Sequence, residues 1–113
     1  MNLFYFCRVL ITFSDPELAD LYEGTVTKKE YRSNPALVKQ YLKTIKKLES
    51  VDKVEQLYQY TSLHYEKLKG DFKGFSSVRI NLQYRILFRE IQSEEEPCHV
   101  MSFAIIKISK HYA

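Results

Sequence analysis

Residues 65–91 read YEKLKGDFKGFSSVRINLQYRILFREI, and the side-chain period of this stretch decides the fold. Tyr84, Ile86 and Phe88 alternate with Arg85, Leu87 and Arg89, the period of two that a half-buried strand shows. Gly70-Asp71-Phe72-Lys73-Gly74 and Asn81-Leu82-Gln83 interrupt the pattern with turn-forming residues, so strands are predicted at 65–69, 75–81 and 84–91. Further on, the acidic loop Ser93-Glu94-Glu95-Glu96-Pro97 precedes a fourth segment, 98–108. That segment is apolar on both faces from Val100 to Ile106, as a central strand covered on both sides would be. The C-terminal half is therefore expected to be an antiparallel meander.

Towards the N terminus the period changes. Val9, Ile11 and Phe13 alternate with Arg8, Leu10 and Thr12 as in a strand, and Ser14-Asp15-Pro16-Glu17 then supplies cap, early proline and capping-box carboxylate for a helix over 16–23. Gly24 closes that helix, and 25–33 reads as a polar loop with some helical character around Thr27–Tyr31. The main helix is predicted over 35–49. Asn34 and Pro35 start it, and Leu37, Val38, Tyr41, Leu42, Ile45 and Leu48 form one stripe, with Lys39, Lys43, Lys46 and Lys47 on the other face. Asp52-Lys53-Val54-Glu55 predicts a short helix to about Tyr58. The expected architecture is α+β, with the N-terminal strand and helices packed on one face of a twisted antiparallel sheet.

The chain has 113 residues, 45% of them hydrophobic, with nine Tyr, seven Phe and only three Gly and three Pro, so one domain over 1–113 with a proper core is expected. A net charge of +3 is too small for a nonspecific polycation. Cys7 and Cys98 are too few for a disulfide scaffold or a four-cysteine zinc site; a reduced cytoplasm fits best, with a bridge between the two left open. The apolar start Met1–Cys7 has no basic residue before it and ends at Arg8, far short of the ~18 apolar residues a membrane helix needs. No signal peptide, membrane span or metal-ligand spacing is expected, and no cofactor fingerprint is present.

Charge is unevenly placed. Between Glu66 and Arg89 stand Lys67, Lys69, Lys73, Arg79, Arg85 and Arg89 against Glu66 and Asp71, and Lys107, Lys110 and His111 follow. With Tyr65, Phe72, Phe75 and Tyr84 interleaved, this is the composition of a polyanion-binding face, since cations hold phosphates and rings stack on unpaired bases. The alternative is a solvated sheet face with its aromatics turned inward, which charge counts alone favour. Arg79 reaches the cleft of Arg85 if Phe75, Ser77 and Arg79 share a face, although the register across the Asn81 turn is open. Cys98 and His99 are adjacent on a strand and point to opposite faces, which argues against a nucleophilic pair.

Leu68-Lys69-Gly70-Asp71, Lys73-Gly74, Ser77-Val78-Arg79-Ile80-Asn81 and Tyr84-Arg85-Ile86-Leu87-Phe88 together resemble the RelE superfamily of bacterial toxins in its HigB branch. Glu66, two before Leu68, and the closing His111-Tyr112 resemble its YoeB branch. The likeness covers about residues 65–112, with the first half agreeing in layout. It implies a RelE-like toxin fold and the toxin of a type II toxin–antitoxin system, a metal-independent endonuclease cutting messenger RNA on the ribosome. Carried over by position, Glu66 would be the general base, Arg85 the phosphate clamp and His111 the general acid, with Lys69 an electrostatic helper and Tyr112 a stacking or orienting aromatic. Lys73 and Arg79 are further substrate-binding candidates. Such chemistry needs a base for the 2′-hydroxyl, a cation for the phosphate oxygens and an acid for the departing 5′ oxygen.

The implied partners are a cognate antitoxin, the ribosome and messenger RNA, with no membrane. The chain departs from HigB members in having Glu66 where they usually have His, Ser76 where they often have Trp, and Lys110-His111-Tyr112-Ala113 as its ending. His64, two residues before Glu66 on the expected strand face, is a substitute or second base. Other readings of the same fold are a gyrase-binding toxin of the ParE kind and an inert RNA-binding module.

Overall fold

The computed structural model describes residues 9–26, 28–92 and 101–110. The first strand, β1 (Leu10–Phe13), leads into α1 (Pro16–Glu23), which Asp15 caps by accepting from the Glu17 N–H at 2.9 Å. Gly24 ends α1 at φ 95°, a left-handed value glycine adopts without a Cβ penalty. A four-residue helix, α2 (Lys29–Arg32), occupies part of the expected loop, and α3 (Pro35–Glu49) follows its Asn34 cap. Leu37, Tyr41, Ile45 and Leu48 are buried along one face of α3, as the sequence stripe requires. The Tyr41 hydroxyl donates to the Leu18 carbonyl at 3.0 Å and ties α3 to α1.

Two 3₁₀ turns, Val54–Gln59 and Thr61–Leu63, bring the chain to the sheet. The capping-box pattern at Asp52–Glu55 produces the first of them, with one substitution of role. The Gln56 side chain, not Glu55, accepts from the backbone N–H groups of Asp52 and Lys53, at 2.7 and 3.3 Å.

The strands β2 (Glu66–Lys67), β3 (Ser76–Arg79), β4 (Tyr84–Gln92) and β5 (Met101–Lys110) form the expected antiparallel meander. The full order is β1-β5-β4-β3-β2. The N-terminal strand is not packed on the sheet face as expected; it joins the sheet at its edge, parallel to β5, with Leu10 opposite Ser102 and Phe13 opposite Ile105. A parallel pair needs a long crossover, and here everything between β1 and β5 serves as one. The β5 strand thereby lies inside the sheet with a neighbour at each edge, but the helices cover only one of its faces, not both as expected from its apolar run.

A bulge modifies that run. Leu87 pairs with Lys107 but Phe88 pairs with Ile105, leaving Ile106 as the extra residue. Ile105 and Ile108 consequently both contribute to the core despite their odd spacing. Leu18, Leu21, Tyr41, Ile45, Leu48, Leu57 and Leu63 pack on Val78, Ile86, Phe88, Phe103 and Ile105, so the helices cover one face of the sheet. Arg79, Arg85 and Leu87 alternate with these core residues and turn to the other face. Among the described residues no helix is long and apolar enough to cross a membrane.

Candidate active site

The open sheet face carries a notch lined by His64, Glu66, Ser77, Arg79 and Arg85, with room of about 20 Å³, roughly that of one water. Strand register builds it. Glu66 stands opposite Ser77, and Arg79 stands opposite Arg85, so four of the five side chains come from neighbouring positions on three strands. The register that sequence left open is fixed by Asn81, whose side-chain oxygen accepts from the Gln83 and Tyr84 N–H groups at 2.8 Å each. That turn delivers Arg85 directly across from Arg79.

Arg85 Nη1 lies 3.8 Å from Glu66 Oε1, an ion pair too long to be a hydrogen bond. The Glu66 side chain is 58% exposed and that of Arg85 only 21%, so the carboxylate reaches into solvent while the guanidinium stays in the sheet. Arg85 Nε is buried without a hydrogen-bond partner among the described residues. A fixed cation with donors to spare beside an accessible carboxylate suits the binding of a phosphodiester next to a proton acceptor.

His64 reaches the notch by a different route from the one expected. It is not on a strand. It ends the Thr61–Leu63 turn in the left-handed region, φ 45° and ψ 48°, the one described non-glycine residue with positive φ. Buried Leu63 and Tyr65 on either side hold it there.

The other predicted site residues are more dispersed. Lys69 precedes the 3₁₀ turn Gly70–Phe72 and is exposed outside the notch. Lys73 lines a separate cleft of about 330 Å³ with Lys67, Leu68, Gly74, Phe75, Ser76 and Glu90. Lys110 pairs with Tyr84 beside Arg85, so β5 ends next to the notch. His111 and Tyr112 lie outside the described residues, as do Cys7, Cys98 and His99.

The aromatic residues divide between the two readings of the charge pattern. Tyr65 is buried, T-stacked on Tyr58 at 5.0 Å between ring centroids, as the inward-facing reading requires. Phe72 is exposed with Lys107 Nζ 5.8 Å from its ring, and Arg89 lies 5.9 Å from the Phe75 ring. These two cation–aromatic pairs extend the basic face beyond the notch.

One cluster is absent from the sequence reading. The Glu90 carboxylate accepts from the hydroxyls of Tyr65 and Ser76 and faces Lys67. Burial, then the bond to Glu90, pushes the Tyr65 phenol well above its ordinary value. Two serines in a row within a strand, both buried, are the signal that a polar partner waits in the fold.

Comparisons with known proteins agree with the fold. The HigB-like toxin profile, described as a RelE-like toxin of type II toxin–antitoxin system HigB, matches residues 11–100. It therefore reaches back through the first half, where the sequence likeness was only one of layout. Toxin HigB-1 of Vibrio cholerae serotype O1 is 32% identical over 82 residues, 70% of this chain and 81% of that protein. A YoeB/ParE toxin from Agrobacterium tumefaciens has the same fold, with a TM-score of 0.53 at 21% identity over 91% of this chain and 99% of that one. With its profile match running from β1 through the helices to β4, the chain belongs to the HigB-like family of RelE-like toxins from type II toxin–antitoxin systems.

Proposed function

We propose that this toxin is a ribosome-dependent endonuclease of messenger RNA, acting in the cytoplasm as one domain over residues 1–113. The observation that carries the reading is the Glu66–Arg85 pair, 3.8 Å apart on an open basic face with Arg79 opposite Arg85. In the proposed reaction Glu66 takes the proton of the 2′-hydroxyl, whose oxygen attacks the adjacent phosphorus. Arg85, helped by Arg79, holds the nonbridging oxygens as their charge grows. The bond to the 5′ oxygen breaks, His111 supplies its proton, and the products are a 2′,3′-cyclic phosphate and a free 5′-hydroxyl. Lys69 adds positive potential, and Lys73 and Tyr112 contact the flanking message. The exposure of Glu66 lets a hydroxyl approach it, and the limited exposure of Arg85 keeps its charge strong.

The partner is a cognate antitoxin that covers the basic face, with acidic side chains over Arg79 and Arg85. Brief induction followed by mapping of message ends tests the reading. Cuts placed within translated codons and ending in 2′,3′-cyclic phosphate are expected. Intact messages with accumulating DNA breaks would replace it with a gyrase-binding mode.

A further inference from the structure

Both chain neighbours of Glu66 end on a single carboxylate. Strand alternation turns Tyr65 and Lys67 to the helix side while Glu66 faces the open side. The Tyr65 hydroxyl donates to Glu90 Oε2, and Lys67 Nζ lies 4.0 Å from Glu90 Oε1, one flanking residue to each oxygen. Ser76, the register partner of Lys67 on β3, also donates to Oε2, at 2.5 Å. Glu90 on β4 thus gathers groups from the β2 segment and from β3, so that the three strands that carry the notch meet at one carboxylate. Its side chain is only 14% exposed, and the proposed chemistry makes no use of it.

The strand that holds Glu66 has little else to fix it. β2 is two residues long and lies at the sheet edge, with two register pairs to β3. Short edge strands open at low free energy, so the placement of Glu66 depends on side-chain anchors more than on the backbone ladder. Lys67 is itself largely exposed, 69% by side chain, which leaves the buried Tyr65–Glu90 bond as the firmer of the two arms.

We propose that Glu90 is a positioning residue for Glu66, acting through Tyr65 and Lys67 to hold the Glu66 carboxylate at its distance from Arg85. The proposal deepens the nuclease reading and rests on Glu66 being the base. A carboxylate that only ties strands together would matter for stability but not for the state of Glu66, and the two roles differ in what they move.

The test compares Glu90→Leu and Tyr65→Phe, which remove the anchor, with Glu90→Gln, which keeps an oxygen acceptor of the same size. The Glu66–Arg85 separation in crystal structures of the free variants is the first readout and needs no cleavage. In the two anchor-breaking variants that separation is expected to exceed the 3.8 Å of the parent, because the short edge strand loses its side-chain tie. Turnover on ribosome-bound message is expected to fall about tenfold to a hundredfold with KM unchanged, the loss typical of a displaced catalytic group. Glu90→Gln should restore most of the turnover. Adding Glu90→Leu to Glu66→Gln should cost nothing further, since an effect transmitted through Glu66 has no target left.

An unchanged Glu66–Arg85 separation in folded Glu90→Leu and Tyr65→Phe, or losses that multiply in the double variant, overturns the proposal. If Glu90→Leu fails to fold, Tyr65→Phe decides. A parent protein that cuts no message would sink the nuclease reading, while the Glu66–Arg85 separation would still decide the positioning.

Discussion

Arg79 and Arg85 are direct register partners across the β3–β4 ladder, two guanidinium groups lining one notch with a single carboxylate, Glu66, 3.8 Å from the second. Like charges placed opposite each other destabilise a sheet. With one carboxylate against two guanidinium groups the notch keeps one positive charge in excess, which a singly charged phosphodiester would match under the proposed reading.

Replacing Arg79 separates binding from stability. Arg79→Gln removes the repulsion and is expected to raise stability by about 0.2–1 kcal/mol. Message affinity should weaken at low salt, and the slope of log affinity against log salt should shrink by about one. Thermal melts and binding titrations across salt concentrations check both; a less stable variant with parental affinity would contradict them.

Glu66→Gln, Arg85→Ala and His111→Ala should each relieve growth arrest and lower single-turnover cleavage by about 10²–10⁴-fold. Glu66 is exposed at a sheet edge, so the melting temperature of its variant should match the parent's. Retained toxicity in all three would refute the proposed roles.

Tyr41 tests the helix side. Its hydroxyl is the donor to the Leu18 carbonyl in a fully buried contact, so Tyr41→Phe should lower stability by about 1 kcal/mol. Urea denaturation measures it. Cleavage should be unaffected because the α1–α3 contact lies on the opposite face of the sheet from the notch.

Alkaline pH should unfold the toxin. Burial, the leading cause in both cases, raises the phenols of Tyr41 and Tyr65 above their ordinary value. The folded state then keeps protons that unfolded tyrosines release, so the stabilisation is complete below pH ~10 and is lost as pH climbs through and beyond that value. Denaturation midpoints should fall steeply in this range. The Tyr41→Phe variant should show a shallower decline.

The meander and the long helix were legible because each obeys a local rule. Period-two alternation from Tyr84 to Phe88, glycine at the turns and the Asn34-Pro35 start of α3 need no knowledge of distant residues. The parallel placement of β1 and the bulge at Ile106 were not legible, since both depend on which strand lies alongside. His64 was expected on a strand and is in the left-handed region instead, because buried Leu63 and Tyr65 dictate its backbone.

For the site, the resemblance to RelE-like toxins named Glu66, Arg85 and His111, with Arg79 a binding candidate of open register, and the sequence placed the positive charge in the C-terminal half. Only tertiary structure decided that Arg79 faces Arg85, that Glu66 pairs with Arg85 and not with its neighbours Lys67 and Lys69, and that Glu90 stands behind Glu66. Alternation along a strand is written in the chain, because successive side chains must point to opposite faces. Register between strands is not, because it comes from turns and from partners such as Tyr65 and Glu90 that lie 25 residues apart.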